Sequence, residues 1–268
     1  MKKIITLLLC IAMLCSACVG LTSCFGAKDV LTVGVTPIPG MNEKDANGEY
    51  TVGFESEFAM AVADILGMEV EFQEISWEQK YNELNSGAID CVWNNFTANC
   101  YDSDAGKDRK DLVDFSYGYM LNQQCIVVKT ANLAQYTSEA SLAGKTACVE
   151  AGSAGAAYAE TVTDANKITP ATVQLDAFTE VKAGAVDFIV VDIVLAQNVC
   201  GKGNYTDLSI VEAIELDSEI YAVGFKKGSE LTAKVNDAIK QLYENGKLME
   251  IAEKWGCENR IKLSETID

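Results

Sequence analysis

The sequence predicts an α/β chain built as two related lobes, and three observations carry that expectation. Short apolar runs alternate with segments whose apolar residues recur at helical spacing, the signature of βαβ units with mainly parallel sheets. One pattern occurs twice, at residues 81–95 and 178–192. The chain has 268 residues, 49% of them hydrophobic and 22% charged, which suits packed cores and opposes disorder. At roughly 150 residues per domain this is one or two domains.

Charge and composition exclude several functions. Lys and Arg total 21 against 39 Asp and Glu, a formal charge of −18. That balance opposes contact with nucleic-acid phosphates. Histidine is absent, so no Ser-His-Asp triad, Cys-His dyad or His-ligated zinc can form.

Residues 1–23 read as a signal peptide. Lys2 and Lys3 form a positive start, residues 4–22 are almost wholly apolar, and Leu21-Thr22-Ser23-Cys24 resembles the bacterial lipobox, whose cysteine is lipidated and becomes the new N-terminus. An uncleaved anchor is the alternative, since about 18 apolar residues can span a bilayer. Either way the body is expected outside the cytoplasm and tethered to a membrane. Removal of the signal takes two lysines with it and moves the charge to −20.

Of ten cysteines, Cys10, Cys15 and Cys18 leave with the signal and Cys24 carries lipid. Cys91, Cys100, Cys125, Cys148, Cys200 and Cys257 remain, an even number whose pairing cannot be read from sequence. Cys91, Cys125 and Cys148 sit in apolar strand-like runs and are expected as small buried hydrophobes. No CxxC follows residue 24, so no metal site is expected.

The elements follow in order. Residues 30–36 (VLTVGVT) form a strand. Phe54, Phe58, Val62, Ile65 and Leu66 mark a helix that Gly67 closes. Residues 70–75 are a strand, 78–86 a helix and 89–93 a strand. Strands follow at 123–129, 145–150 and 186–191, with helices at 154–162 and 174–183. Residues 230–255 keep a helical period through Leu231, Val235, Ile239, Leu242, Leu248 and Ile251. In the repeat, YNELNSGAIDCVWNN and FTEVKAGAVDFIVVD share an aromatic, Glu, Gly-Ala and Asp at a constant offset. Each is a helix end, a Gly cap, an acidic turn and a strand. Two ordinary αβ turns could look alike, but so many matches at one offset favour related lobes. The repeat aligns Asn94 and Asn95 with Asp192 beyond the strand ends, where ligands bind in open α/β sheets.

Three features could hold an amino acid. Gly152-Ser153-Ala154-Gly155 follows a strand and opens a helix, so free N–H groups and the helix dipole favour an anion, although a plain N-cap would read the same. Arg109 lies in a charged stretch, KDRKDLVDFS, that could simply face solvent; a buried Arg is the usual bidentate partner of a carboxylate. Asp192 ends the apolar strand IVVD and suits an ammonium group, or else caps the next helix.

Taken together, LTVGVT, GEYTVGFESEFAMAVADILGMEVEFQEISWEQKYNELNSGAIDCVWNNFTAN, RKDLVDFSYGYM, LAGKTACVEAGSAGAAY, VKAGAVDFIVVD and the stretch from YAVGFKKG to EKWG resemble the family 3 (polar amino acid) solute-binding proteins of ABC transporters. The resemblance runs in order over nearly all of 30–256. It implies the type II periplasmic-binding-protein fold, with each lobe a mainly parallel sheet flanked by helices and the two joined by a two-strand hinge. Residues 24–30 would be a lipidated tether, 31–122 and 220–268 lobe 1, and 123–219 lobe 2, with hinge crossings near 120–126 and 217–224. Arg109 would clamp the ligand α-carboxylate, helped by the N–H groups of Ser153 and Ala154, and Asp192 would take the α-ammonium. Asn94, Asn95 and Thr97 stand where the family usually has Ser, Gly and Ser/Thr facing the ligand. Trp77 stands where an aromatic commonly packs on the ligand side chain, unless it is only core.

There are departures from the family pattern. The loop Thr36-Pro37-Ile38-Pro39-Gly40-Met41 is slightly short and carries no acid where a basic ligand's charge is often met, which implies a polar, not strongly basic amino acid. Residues 100–108 contain extra positions before Arg109. Ala154 replaces the usual Thr, and Asn94-Asn95 replace Ser-Gly. The resemblance implies closure on the ligand, delivery to an ABC permease and through it an ATPase, no cofactor, no nucleic acid and no bond chemistry. Two other readings of the same fold are a sensing ectodomain with a separate signalling partner, and a dehydratase-type enzyme. The enzyme would need an acid/base in the cleft, and Glu150 is the obvious extra carboxylate there.

Overall fold

The computed structural model describes residues 29–267. The expected signal peptide and Cys24, the expected lipidation residue, therefore lie outside the described residues. Fourteen strands and eight α-helices are found among the described residues.

The first sheet gathers β1 (Val30–Val35), β2 (Glu69–Glu74), β3 (Cys91–Val92), β6 (Asp114–Phe115) and β13 (Gly224–Phe225) in the order β2-β1-β3-β13-β6. A hairpin of β4 (Tyr101–Asp102) and β5 (Lys107–Asp108) stands apart. The second sheet is built on β7 (Gly118–Lys129), β8 (Ala147–Glu150), β9 (Ile168–Ala171), β10 (Phe188–Asp192) and β11 (Leu208–Ile210), in the order β11-β7-β10-β8-β9. β12 (Ser218–Tyr221) and β14 (Ile261–Ser264) also pair with β7. Helices α1 (Phe54–Leu66), α2 (Lys80–Ser86), α3 (Arg109–Leu112), α4 (Ala154–Val162), α5 (Gln174–Ala183), α6 (Ile193–Val199), α7 (Leu231–Glu244) and α8 (Lys247–Trp255) complete the chain. Within each sheet the pairs β1–β2, β1–β3, β8–β9 and β8–β10 are parallel, as the strand-helix alternation predicts.

β7 explains how the two sheets connect. Its first half, from Gly118 to Gln123, pairs with β12 and β14; its second half, from Gln124 to Lys129, pairs with β10 and β11. The sequence placed this strand at 123–129. It starts earlier because 118–122 is an extended crossing paired antiparallel to β12, the return crossing. The predicted helix 230–255 is two helices. Gly246, at φ 81°, breaks it, since a left-handed residue cannot continue a right-handed helix.

The repeat has the same geometry in both sheets. α2 ends on Gly87 and α5 on Gly184, both left-handed at φ 77°. The Asp that follows then ties its strand to a neighbour in the same way. Asp90 accepts from the N–H of Thr32 at 2.8 Å, and Asp187 from the N–H of Thr146 at 2.8 Å. The shared Gly and Asp are therefore the cap and the clamp of one αβ unit used twice.

Apolar burial holds the first sheet against α1, α7 and α8. Phe54, Phe58, Val62, Val235, Ile239, Leu248 and Ile251 join Leu31, Val33 and Val35 in one core. Phe58 sits edge-on to Trp93 at 5.0 Å and to Tyr119 at 5.3 Å. Rings so arranged add to the area they bury. Cys91, Cys125 and Cys148 are buried in the same core, as their apolar runs predicted, and all six cysteines among the described residues are free thiols.

Candidate functional site

All eight residues singled out in the sequence surround one small cavity between the sheets. Trp77, Asn94, Asn95, Thr97 and Arg109 line it from the first, and Ser153, Ala154 and Asp192 from the second. Ile38, Gln124, Glu150 and Gln174 complete the lining. The cavity holds about 10 Å³, room for about one water, so the walls must part to admit an amino acid.

Arg109 opens α3 directly after the β4–β5 hairpin, and its backbone N–H donates to Cys100 O at 3.0 Å. The extra residues 100–108 are this hairpin, and they set the side chain. Asp102 on β4 is buried, accepts from Tyr81 Oη at 2.7 Å, and lies 4.0 Å from Arg109 Nε and 3.8 Å from Lys80 Nζ. Arg109 itself is 1% exposed. Its Nη1 donates to Thr97 O at 3.0 Å and its Nη2 to Gly152 O at 3.1 Å, and the guanidinium lies 5.2 Å from the Phe96 ring. Lys80, sealed beside it, has its ammonium pushed down to about 7, first by burial and then by the Arg109 charge.

Gly152 O is a point of convergence. Besides Arg109 it accepts from Trp77 Nε1 at 3.1 Å and Lys80 Nζ at 3.2 Å. Three donors from one side of the cavity thus meet a single carbonyl from the other. The loop after β8 is held by Ser153, whose Oγ caps α4 by accepting from Ala156 N at 3.0 Å and whose own N–H donates to Glu150 O at 3.2 Å. Gly155 is required beneath it, because a Cβ there would stand 2.7 Å from Val190 O.

Asp192 lies at the carboxyl end of β10 and is 2% exposed. Its Oδ1 accepts from Asn122 Nδ2 at 2.9 Å and Gln124 Nε2 at 2.7 Å, and its Oδ2 from Gln174 Nε2 at 2.5 Å. Gln174 returns a bond by accepting from Asp192 N at 2.9 Å. The two amides Asn122 and Gln124 also donate to Glu219 Oε2, at 2.6 and 3.0 Å, and Thr97 Oγ1 donates to the same oxygen at 3.1 Å. Burial pushes both carboxyls up, Glu219 to about 7, where the Asp192 charge adds to the rise.

The two asparagines differ. Asn94 spends its amide inside the first lobe, accepting from Thr36 N and Thr36 Oγ1 and donating to Thr36 O and Asn42 Oδ1. Asn95 sits at φ 49°, its N–H bonded to the Glu55 carboxylate at 2.9 and 3.0 Å, and both polar atoms of its side chain are buried without a partner. Glu55, at the start of α1, also accepts from Tyr119 Oη, and burial pushes it up to about 7.

The sequence reading missed Gln124, Gln174, Glu219 and Lys80. Asn122 and Gln124 had a readable signal: polar residues two apart in an apolar strand point to one face. Gln174 and Glu219 had none, because each matters through a neighbour distant in sequence.

Residues 31–258 match bacterial extracellular solute-binding proteins, family 3. The chain belongs to that family. As a family 3 solute-binding protein it works outside the cytoplasm, and the family serves amino-acid uptake through ABC importers. It is 32% identical over 241 residues to the L-cystine-binding protein TcyA of Bacillus subtilis (strain 168), covering 88% of this chain and 84% of that one. Among solved structures it is similar to an ABC uptake transporter substrate-binding protein from Streptococcus pneumoniae with bound histidine (TM-score 0.75, 30% identity, 87% of this chain and 94% of that one). It is also similar to an ancestral arginine-binding protein bound to arginine (TM-score 0.75, 31% identity, 85% and 99%). The two-lobed type II periplasmic-binding-protein architecture expected from the sequence is the architecture found.

Proposed function

We propose that this solute-binding protein captures an L-amino acid between residues 31–122 with 220–268 and residues 123–219, and passes it to a membrane permease powered by an ATPase. The observation that carries the reading is one cavity walled by a buried arginine, a capped helix N-terminus and a buried aspartate. Arg109 takes the α-carboxylate, exchanging its bond to Gly152 O for a bidentate charge-assisted pair, while the N-terminal end of α4 at Ser153 and Ala154 adds favourable dipole. Asp192 takes the α-ammonium, and Thr97, Asn94, Asn95 and Trp77 wall the remainder. Because these groups come from both lobes, bound amino acid favours the closed arrangement, with β7 and β12 as the hinge. No bond is made or broken in this cycle and no cofactor takes part. Lipid on Cys24 tethers the protein to the membrane beside its permease.

The test is a thermal-shift panel of the twenty L-amino acids and cystine. One or a few should raise Tm in a concentration-dependent way. No response to any of them would remove the capture reading. Cys24→Ala should release the protein from the membrane fraction; retention would mean that the apolar N-terminal segment, not lipid, is the anchor.

A further inference from the structure

Five acids lie in or beside the cavity: Glu55, Asp102, Glu150 and Asp192 are buried and Glu219 is half-buried. Four are bonded. Glu55 accepts from Asn95 N and Tyr119 Oη, Asp102 from Tyr81 Oη and Ala105 N, and Asp192 and Glu219 share the amides of Asn122 and Gln124. Glu150 differs. It ends β8, is 3% exposed, lines the cavity, and its Oε1 has no partner. A buried carboxyl oxygen left unbonded is costly, so its place at the cavity wall calls for a donor that arrives from outside the chain.

The nearby cations do not supply that donor. Lys80 Nζ is held by Trp77 O and Gly152 O, and Arg109 by Thr97 O and Gly152 O. Across the cavity, Asn95 offers an unpartnered amide from the other lobe. A carboxylate and an amide thus face the same space, each with hydrogen-bonding capacity to spare.

We propose that Glu150 is the specificity-determining residue of this site, admitting amino acids whose side chain presents N–H donors, such as a carboxamide, an imidazole or a guanidinium, and turning away those with a carboxylate side chain. This rests on the capture reading above. Charge supports it: a ligand carboxylate would add a sixth acid where two cations are already committed. Burial, with the Asp192 charge behind it, pushes the Glu150 carboxyl up to about 8, against the pull of Lys80 and Arg109. An N–H donor in contact favours its ionised form, and a second carboxylate opposes it.

The measurement is affinity by isothermal titration for the best ligand of the panel and for L-glutamate, on the purified protein, Glu150→Gln and Glu150→Leu. For wild type, the best ligand should carry an N–H donor and L-glutamate should be far weaker. In Glu150→Gln the ratio of the two affinities should fall about tenfold or more, as expected on losing a hydrogen bond to a charged group. Glu150→Leu should lose the preferred ligand further. An unchanged ratio in both variants, or a wild-type preference for an acidic amino acid, would overturn the assignment while leaving amino-acid capture intact. No response of wild type to any amino acid would overturn both.

Discussion

Nη2 of Arg109 donates to the carbonyl oxygen of Gly152 at 3.1 Å, and this bond crosses the cleft. Trp77 and Lys80 aim at the same carbonyl. Arg109 is thereby held in the pose that a carboxylate needs, buried, oriented by Asp102 and stacked near Phe96. On the proposed reading, an incoming carboxylate has only to replace one neutral acceptor with a charged one, and an Arg–carboxylate pair can be bidentate, which adds both energy and geometric specificity.

Removing the guanidinium should therefore abolish binding. Arg109→Ala is expected to weaken the best ligand by at least about thirtyfold, because truncating one partner of a buried charge pair costs on the order of 2–5 kcal/mol. Arg109→Lys should recover only part, since an ammonium is a point donor and not a planar fork. Titration calorimetry decides it, and normal affinity in Arg109→Ala would reassign the carboxylate.

Asp192, buried, and Glu219, half-buried, form an acid pair joined by two amides. Burial raises both and the Asp192 charge raises Glu219 further, to about 7, so part of the pair is protonated near neutral pH. An ammonium arriving at Asp192 reverses that balance and drives a proton off. Binding near pH 6.5 should release protons, seen as a dependence of the titration heat on buffer ionisation enthalpy. Asp192→Asn should cut affinity about tenfold to a hundredfold and abolish the proton release. A buffer-independent heat would count against the ammonium contact.

Stability should fall as pH rises from 5 to about 7, above which the buried Lys80 ammonium, pushed down to about 7, contributes a slope of the opposite sign. Glu55, Glu150 and Glu219 have folded values pushed up to about 7, 8 and 7, all above the ordinary glutamate value of 4.5, chiefly by burial. Between the unfolded and folded values the native state binds more protons, so the slope of unfolding free energy against pH is negative. Below about pH 4.5 the sign reverses, because Asp102, Asp114 and Asp187 are held below their ordinary values and lose that contribution as they protonate. The urea midpoint should peak near pH 5, and Glu55→Gln should flatten the decline above it. A midpoint that climbs from pH 5 to 7 would show these carboxyls to be ionised in the folded protein.

Much of this architecture was legible because local rules agreed with the global fold. Gly67, Gly87 and Gly184 stop helices in the left-handed conformation, and Asp90 and Asp187 repeat one clamp in two lobes. The eight cavity residues were also legible, from strand ends, a capped helix and a familiar order of motifs. What escaped was set by tertiary pairing. Residues 118–122 were legible only in part, as a hinge crossing near 120–126 and not as strand, because their apolar pattern answers to β12 and β14. Lys80 carried no signal beyond its place in the helix 78–86, yet its ammonium is buried between Trp77 O, Gly152 O and Asp102. The loop after β1 carries no acid, and that argued against a basic ligand. The unpartnered acid of the cavity is Glu150, supplied by β8.

The β4–β5 hairpin supplies the last prediction. It adds Asp102, the carboxylate that sits between Lys80 Nζ and Arg109 Nε. Take that charge away and two buried cations face each other, with burial already pressing the Lys80 ammonium down to about 7. Breaking a buried ion pair by removing one partner costs on the order of 3–5 kcal/mol. Asp102→Asn keeps the acceptor for Tyr81 and should sit at the lower end of that range, whereas Asp102→Ala should reach the upper end. Lys80→Met in the Asp102→Asn background should return part of the loss, because it removes the unpaired cation. Urea unfolding of the two single variants and the double variant closes the cycle. Strict additivity would mean that the hairpin carboxylate and the Lys80 ammonium do not communicate, and residues 100–108 would then have no electrostatic part in holding the cations of the cleft.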